Sequence, residues 1–126
     1  MISTVFIVAL GGAIGAACRF LVGVFVLRVI GVADFPLGVI AVNIIGSFLM
    51  GAFVVAAAQR GLTHLSPFIM TGILGGFTTF SAFSLETVTL IERGQVAMAG
   101  AYVALSVGLS VGGLMLGLWI ARGIFA

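Results

Sequence analysis

A run rich in glycine, threonine, serine and phenylalanine is the part of this chain best suited to chemistry. It reads GGFTTFSAFS over residues 75–84, inside an otherwise apolar segment. Paired glycines followed by two β-branched threonines are poor helix formers, so we predict a helix that is interrupted near residues 75–79. Such an interruption exposes carbonyl groups that suit a small hard cation and N–H groups that suit an anion. The alternative is a glycine-softened crossing between packed helices.

Two phenylalanines follow the predicted interruption, three residues apart. Phe80 and Phe83 therefore project from neighbouring faces of the second half-helix. Because an aromatic ring has a positive edge, rings that turn their edges inward could line a path for an anion. Phenylalanines in membrane helices also fill space against lipid or protein. Only the position of this pair after the predicted interruption favours a role in lining an anion path.

Polar side chains on two other segments could contact the same anion. Asn43 is the only amide well inside an apolar segment, and Ser47 lies one turn further on. An amide NH₂ group is a natural anion ligand, although a buried amide also suits a hydrogen bond between helices. Tyr102, Ser106 and Ser110 recur every four residues and form one polar stripe. Lipid offers hydroxyl groups no partners, which makes this stripe a functional candidate.

Arg19 and Glu86 are ionisable residues within apolar segments, and both are functional candidates for that reason. Arg19 could instead snorkel to the membrane surface or cap a group of carbonyls. Glu86 lies near the end of its predicted helix, where it could simply be hydrated. The sequence holds no metal-ligand cluster, nucleophile–base pair or phosphate-binding loop, so we expect no enzymatic activity.

Composition places these residues in a membrane protein. The chain has 126 residues, of which 63% are hydrophobic and 6% are charged, whereas about a quarter of the residues in soluble domains are charged. Five scattered arginines, without any lysine, form no basic patch, so we expect no nucleic-acid partner. Short connections leave no room for another domain, so residues 1–126 are predicted to form a single all-α transmembrane domain. Four segments are long enough to cross a bilayer, at about residues 4–27, 36–58, 67–91 and 95–121.

The arginines flank the four spans evenly. Arg60 and Arg122 lie on the side of the N-terminus, and Arg28 and Arg93 lie on the opposite side. Because the Lys/Arg bias of short loops sets membrane orientation, this balance predicts insertion in both orientations and assembly as an antiparallel homodimer. The alternative is that weaker signals select one orientation.

Three segments together resemble the Fluc (CrcB-type) fluoride channels: residues 11–20 (GGAIGAACRF), 43–48 (NIIGSF) and 75–84 (GGFTTFSAFS). The last segment is the most specific. The resemblance implies four transmembrane helices per chain, a broken third helix and a dual-topology homodimer. It further implies passive, selective export of fluoride from the cytoplasm through two separate pores, in the inner membrane of a bacterium.

The resemblance also implies roles for individual residues. The fluoride pathway that it implies comprises Phe80, Phe83, Asn43, the hydroxyl track of Tyr102, Ser106 and Ser110, and the vestibule arginine Arg19. The backbone carbonyls of Gly75 and Thr78, contributed by both subunits, would hold a structural Na⁺ that is not transported. Val39 stands where some relatives carry threonine, which leaves one hydroxyl of the track in question.

Two other functions fit parts of the sequence. A proton-coupled small multidrug-type exporter is also a four-helix, dual-topology dimer. It needs a titratable carboxylate in its binding chamber, and Glu86 is the candidate, although a position near a helix end is poor for that role. A non-transporting structural subunit suits the small size but leaves the polar stripe and the predicted interruption unexplained. The fluoride channel is therefore the leading hypothesis.

Overall fold

Four long apolar helices make up the protein. The structure is a computed structural model that describes residues 1–33 and 35–125, and these residues form an all-helical fold. The segments long and apolar enough to cross a membrane are Ile2–Ile30 (α1), Leu37–Arg60 (α2), Thr63–Glu92 and Val96–Phe125. The prediction of four apolar spans is confirmed. Their ends differ from the predicted bounds by up to four residues, as at Thr63 and Phe125.

The third span is a composite of several helical pieces. In chain order these are a 3₁₀ turn at Thr63–Leu65, a π-helical segment at Pro67–Leu74, α3 at Gly75–Phe77 and α4 at Phe80–Glu92; the last span, Val96–Phe125, is α5. Between α3 and α4 the backbone is extended, with φ −85° and ψ 158° at Thr78 and φ −151° and ψ 116° at Thr79. The extended residues Thr78 and Thr79 lie inside the predicted range of 75–79, while Gly75–Phe77 are helical.

The glycines of the third span serve close packing against α1. A Cβ atom added to Gly76 would lie 2.6 Å from the carbonyl oxygen of Gly12, and one added to Gly15 would overlap the carbonyl oxygen of Ile73. Small residues let membrane helices approach until their backbones touch. This contact explains why Gly76 stays within a helix although glycine is a poor helix former.

The other close pairing joins α2 to α5. A Cβ atom on Gly51 would overlap the carbonyl oxygen of Leu114, and one on Gly117 would overlap that of Phe48. Here too the backbones are in contact and leave no room for side chains. The fold therefore consists of two tightly packed helix pairs, α1 with the first half of the third span and α2 with α5.

We expect Gly117→Ala to destabilise the folded protein by about 1–3 kcal/mol, because overpacking forces two backbones apart. The measurement is the unfolding temperature of the purified protein in detergent. Gly123→Ala is the matched control, since a Cβ atom at Gly123 meets nothing within 4 Å. Equal unfolding temperatures for the two variants would contradict this account of the α2–α5 contact.

A small core lies near the start of α5, and the remaining surface is largely apolar. Tyr102, Leu90, Ile40 and Ala99 form a buried cluster. In contrast, α1 exposes many large apolar side chains, among them Phe6, Phe20 and Phe25. Exposed apolar area on this scale suits contact with lipid or another membrane chain. With four helices able to span a bilayer, the chain is a multi-pass membrane protein.

Candidate functional site

The side chain of Asn43 holds the extended segment between α3 and α4. The backbone N–H of Thr79 donates to Asn43 Oδ1 over 2.8 Å, and Asn43 Nδ2 donates to the carbonyl oxygen of Thr79 over 3.1 Å. Extended backbone inside a membrane protein needs such partners, because lipid supplies none. Asn43 thus makes the interhelical bond considered above as an alternative. Its Nδ2 group has a second N–H that can serve a ligand.

The Thr79 side chain begins α4. Its Oγ1 accepts a hydrogen bond from the backbone N–H of Ala82 at 3.1 Å and lies 3.2 Å from Ser81 Oγ. A threonine in this role satisfies one of the free N–H groups at a helix N-terminus. Thr79 lies between the two half-helices of the third span. Its main chain is hydrogen-bonded to Asn43 of α2, and its side chain is hydrogen-bonded to α4.

We expect Thr79→Val to lower stability by about 1 kcal/mol, because valine keeps the shape of threonine but lacks the capping oxygen. Thr79→Ser keeps the oxygen and should stay close to the native protein. Unfolding temperature in detergent distinguishes the two variants. If valine and serine behave alike, the cap does not stabilise α4.

Several carbonyl groups lose their helical partners at the extended segment, and those of Gly75 and Thr78 are among them. In a continuous α-helix the carbonyl of Gly75 would accept from the N–H of Thr79, and that of Thr78 from the N–H of Ala82. These two N–H groups instead donate to Asn43 Oδ1 and Thr79 Oγ1. The oxygens of Gly75 and Thr78 are thereby left for another partner, and Gly75 is exposed at the surface of the chain.

A cavity of about 390 Å³ lies beside the extended segment. Five residues of the predicted fluoride pathway line it: Asn43, Phe80, Phe83, Ser106 and Ser110. Its other lining residues are Gly46, Ser47, Met50, Thr78, Thr79, Val107, Val111 and Leu114. The cavity is therefore mostly apolar, with a few hydroxyl and amide groups placed to orient a small ligand.

Aromatic rings continue from the cavity toward the first loop. The rings of Phe80 and Phe83 have centroids 5.5 Å apart, and Phe83 stacks on Tyr102 at 5.4 Å with an interplanar angle of 29°. Phe35 meets Tyr102 edge-on at 5.5 Å and 81°. Phe80 is 79% exposed, so most of its ring faces away from its own chain. Phe35 was not anticipated, because a loop phenylalanine gives no sequence signal of its partner.

Two buried hydroxyl groups on α5 lack hydrogen-bond partners among the described residues. These are Tyr102 Oη, on a side chain with no exposed surface, and Ser106 Oγ, on a residue that is 5% exposed. Buried polar groups are almost always paired in native proteins. Ser106 lines the cavity and Tyr102 lies one turn away on α5, so these two hydroxyls can bond to each other, to water or to a ligand at this place.

The two ionisable candidates lie outside the cavity. Arg19 Nε donates to the carbonyl oxygen of Gly76 over 3.1 Å. Arg19 therefore caps a carbonyl of α3, which agrees with the alternative in which it caps carbonyl groups. Glu86 is half-buried on α4 and does not line the cavity. Among residues 1–33 and 35–125, no acidic side chain lines the cavity. Within the same residues no three His, Cys, Asp or Glu side chains group to bind a metal.

Comparison with known proteins identifies the family. The family model for "CrcB-like protein, Camphor Resistance (CrcB)" matches residues 6–118 of the chain. The chain belongs to this CrcB-like family. The predicted resemblance is therefore confirmed, and the matched range contains the cavity and the segment that separates α3 from α4.

Relatives of this CrcB-like chain cover nearly its whole length. A protein of Ruegeria sp. (strain TM1040) is 66% identical over 124 residues, which cover 98% of each chain. A protein of Cereibacter sphaeroides is 58% identical over the full length of both chains, and one of Rhizobium etli is 48% identical over 94% of this chain and 96% of its own. All three are named "Fluoride-specific ion channel FluC".

Proposed function

We propose that this protein is a selective channel through which fluoride leaves the cytoplasm passively. The cavity beside Thr79 is the observation that supports this proposal, because an amide, hydroxyl groups and phenylalanine rings share its lining. A selective filter must replace the water around an ion with contacts that are individually weak enough to release it. Amide N–H, hydroxyl and ring-edge contacts meet this requirement for a small anion. The names of the relatives support fluoride as that anion.

The working unit in this proposal is an antiparallel homodimer with two pores. Arginines flank the spans evenly, which gives the insertion machinery no preferred orientation. Phe80 and Gly75 are both exposed on the single chain, although both belong to the segment around which the site is built. A second copy packed against this surface would cover them and complete the lining of each pore.

A structural Na⁺ fits the carbonyl oxygens of Gly75 and Thr78. Backbone oxygens are suitable ligands for a small hard cation, and these two have lost their helical partners to Asn43 and Thr79. Two oxygens from one chain do not surround an ion, whereas a second chain would double the set. When bound, the ion would balance the partial negative charge of these carbonyl oxygens. It would hold the extended segments together and would not be transported.

Flow through this site should be driven only by the electrochemical gradient of fluoride. Within the described residues the cavity lining holds no carboxylate that could couple transport to protons. The proton-coupled exporter built on Glu86 is therefore the weaker hypothesis, since this side chain lies outside the cavity. In a bacterial inner membrane the same route would relieve the cell of fluoride.

Growth in fluoride tests the proposal in cells. A bacterial strain without its own fluoride exporter should regain growth in millimolar sodium fluoride when it produces this protein. The same strain with the Phe83→Ile variant, produced to the same level in the membrane, should remain sensitive. Equal sensitivity of cells with the native protein and with an empty vector would contradict the proposed function.

Topology is testable with a reporter fused to the C-terminus. We expect reporter signal on both faces of the membrane, because the arginines are balanced. Replacing Arg28 and Arg93 by glutamine leaves arginines only on the side of the two termini, so the C-terminus should then be cytoplasmic in nearly all copies. Signal on a single face for the native chain would contradict dual insertion.

A further inference from the structure

The ring of Phe35 belongs to the loop between α1 and α2, yet it packs against the buried core. It meets the Tyr102 ring with centroids 5.5 Å apart and an interplanar angle of 81°. Tyr102 has no exposed surface, and Phe35 is one of the partly buried side chains that pack against its cluster. A T-shaped pair is a favoured arrangement of two aromatic rings. Phe35 therefore fixes one side of the Tyr102 ring.

The Tyr102 ring in turn contacts a ring of the cavity. Phe83 stacks on Tyr102 with centroids 5.4 Å apart and an interplanar angle of 29°. Of these three rings only that of Phe83 lines the cavity. Tyr102 thus lies between a ring supplied by a loop and a ring supplied by the cavity wall. The orientation of the Phe83 ring depends on where Tyr102 is held.

The sequence around Phe35 restricts where its ring can lie. Gly31, with φ 84°, ends α1, and Pro36 follows Phe35 directly at the start of α2. A proline fixes its own φ and confines the residue before it to extended conformations. Phe35 also borders an apolar cavity of about 240 Å³, lined among others by Val26 and Leu27. Because packing is loose on that side, the fold should tolerate substitution of Phe35.

We propose that Phe35 is a positioning residue for Phe83 and acts through Tyr102. This inference rests on the proposed function, in which the ring edge of Phe83 contacts fluoride. Contacts in a binding site are precise only when neighbouring side chains lock them in place. Without the Phe35 ring, Tyr102 can turn into the space that is left, and the Phe83 ring loses its fixed neighbour. Phe35 itself does not contact the ion.

Fluoride efflux from liposomes measures the functional effect. Phe35→Leu removes the ring and keeps an apolar side chain. We expect efflux to fall at least about fivefold, the factor to which the loss of one aromatic contact corresponds, while the detergent-solubilised protein elutes unchanged. Phe25→Leu is the matched control, because it removes a ring from the exposed surface of α1 and should leave efflux native. Phe35→Met decides in the same way if the leucine variant does not fold.

A fluorine label on the cavity ring measures whether Tyr102 transmits the effect. 4-Fluorophenylalanine is incorporated at position 83 alone, and its ¹⁹F NMR resonance is recorded in detergent. Phe35→Leu should move this resonance by more than its line width, whereas Phe25→Leu should not. In a protein that also carries Tyr102→Leu, the change at Phe35 should move the resonance no further, because effects that act through a shared partner are not additive.

Native fluoride efflux through Phe35→Leu, or an unmoved resonance at position 83, would overturn the assignment. An equal shift with and without Tyr102 would also overturn it, because Phe35 would then not act through that ring. Absence of fluoride efflux from the native protein would instead overturn the proposed function. The NMR comparison would still decide whether Phe35 positions Phe83, so the two failures are distinguished.

Discussion

Replacing Phe83 by isoleucine should lower fluoride efflux at least tenfold while the protein stays folded. The Phe83 ring lines the cavity and stacks on Tyr102 with centroids 5.4 Å apart. Isoleucine fills similar space but lacks the positive ring edge that attracts an anion. Raising the free-energy barrier for fluoride by only about 1.4 kcal/mol corresponds to a tenfold change in efflux rate. Phe80→Ile should act in the same direction.

Glu86→Gln is the matched control for the phenylalanine variants. Glu86 lies on the same helix but outside the cavity, so its replacement should leave fluoride efflux within about twofold of native. All variants are measured in liposomes at equal protein content, after elution as a single species in detergent. If Glu86→Gln abolished transport while both phenylalanine variants kept it, the proton-coupled exporter would be the better account.

Asn43→Asp should have the largest effect of any substitution in the cavity, with fluoride efflux reduced at least about a hundredfold. Aspartate retains an acceptor for the N–H of Thr79 but loses the donor to the Thr79 carbonyl oxygen. It also places a negative charge in the path of an anion, and opposing like charges costs several kcal/mol. Lost geometry and charge repulsion therefore act together.

Ser47→Asp separates these two causes. Ser47 lines the same cavity one turn along α2, so the charge is similar, while the two hydrogen bonds between Asn43 and Thr79 stay intact. Both variants should lose fluoride efflux, and only Asn43→Asp should also lower the unfolding temperature in detergent. Native efflux through Asn43→Asp would show that this cavity does not carry the ion.

The number and length of the spans could be predicted from the sequence because hydropathy is a local property. The exact site of the extended backbone could not. Glycine and threonine both disfavour helices, and only tertiary packing decides which of these residues leave the helix. Close contact of Gly76 with Gly12 keeps Gly76 helical, while Asn43 supplies the hydrogen bonds that let Thr79 leave the helix.

Residue types in the candidate site were predictable, but their partners were not. Asn43 and Thr79 are 36 residues apart, and Arg19 and Gly76 are 57 apart. No local pattern relates such positions. Arg19 and Gly76 meet only when α1 packs on the third span. In this packing Arg19 donates to the carbonyl oxygen of Gly76 and does not line the cavity. The roles of the pathway residues and of Gly75 and Thr78 remain predictions that the variants address.

The central claim is that this chain conducts fluoride selectively, and fluoride efflux from liposomes tests it most directly. Purified protein is reconstituted into vesicles loaded with potassium fluoride or potassium chloride, and valinomycin releases the opposing potential. We predict rapid fluoride efflux and no chloride efflux above that of protein-free vesicles. We also predict that Phe83→Ile loses the fluoride efflux. Absence of fluoride efflux from folded native protein, or equal efflux of both anions, would contradict the account.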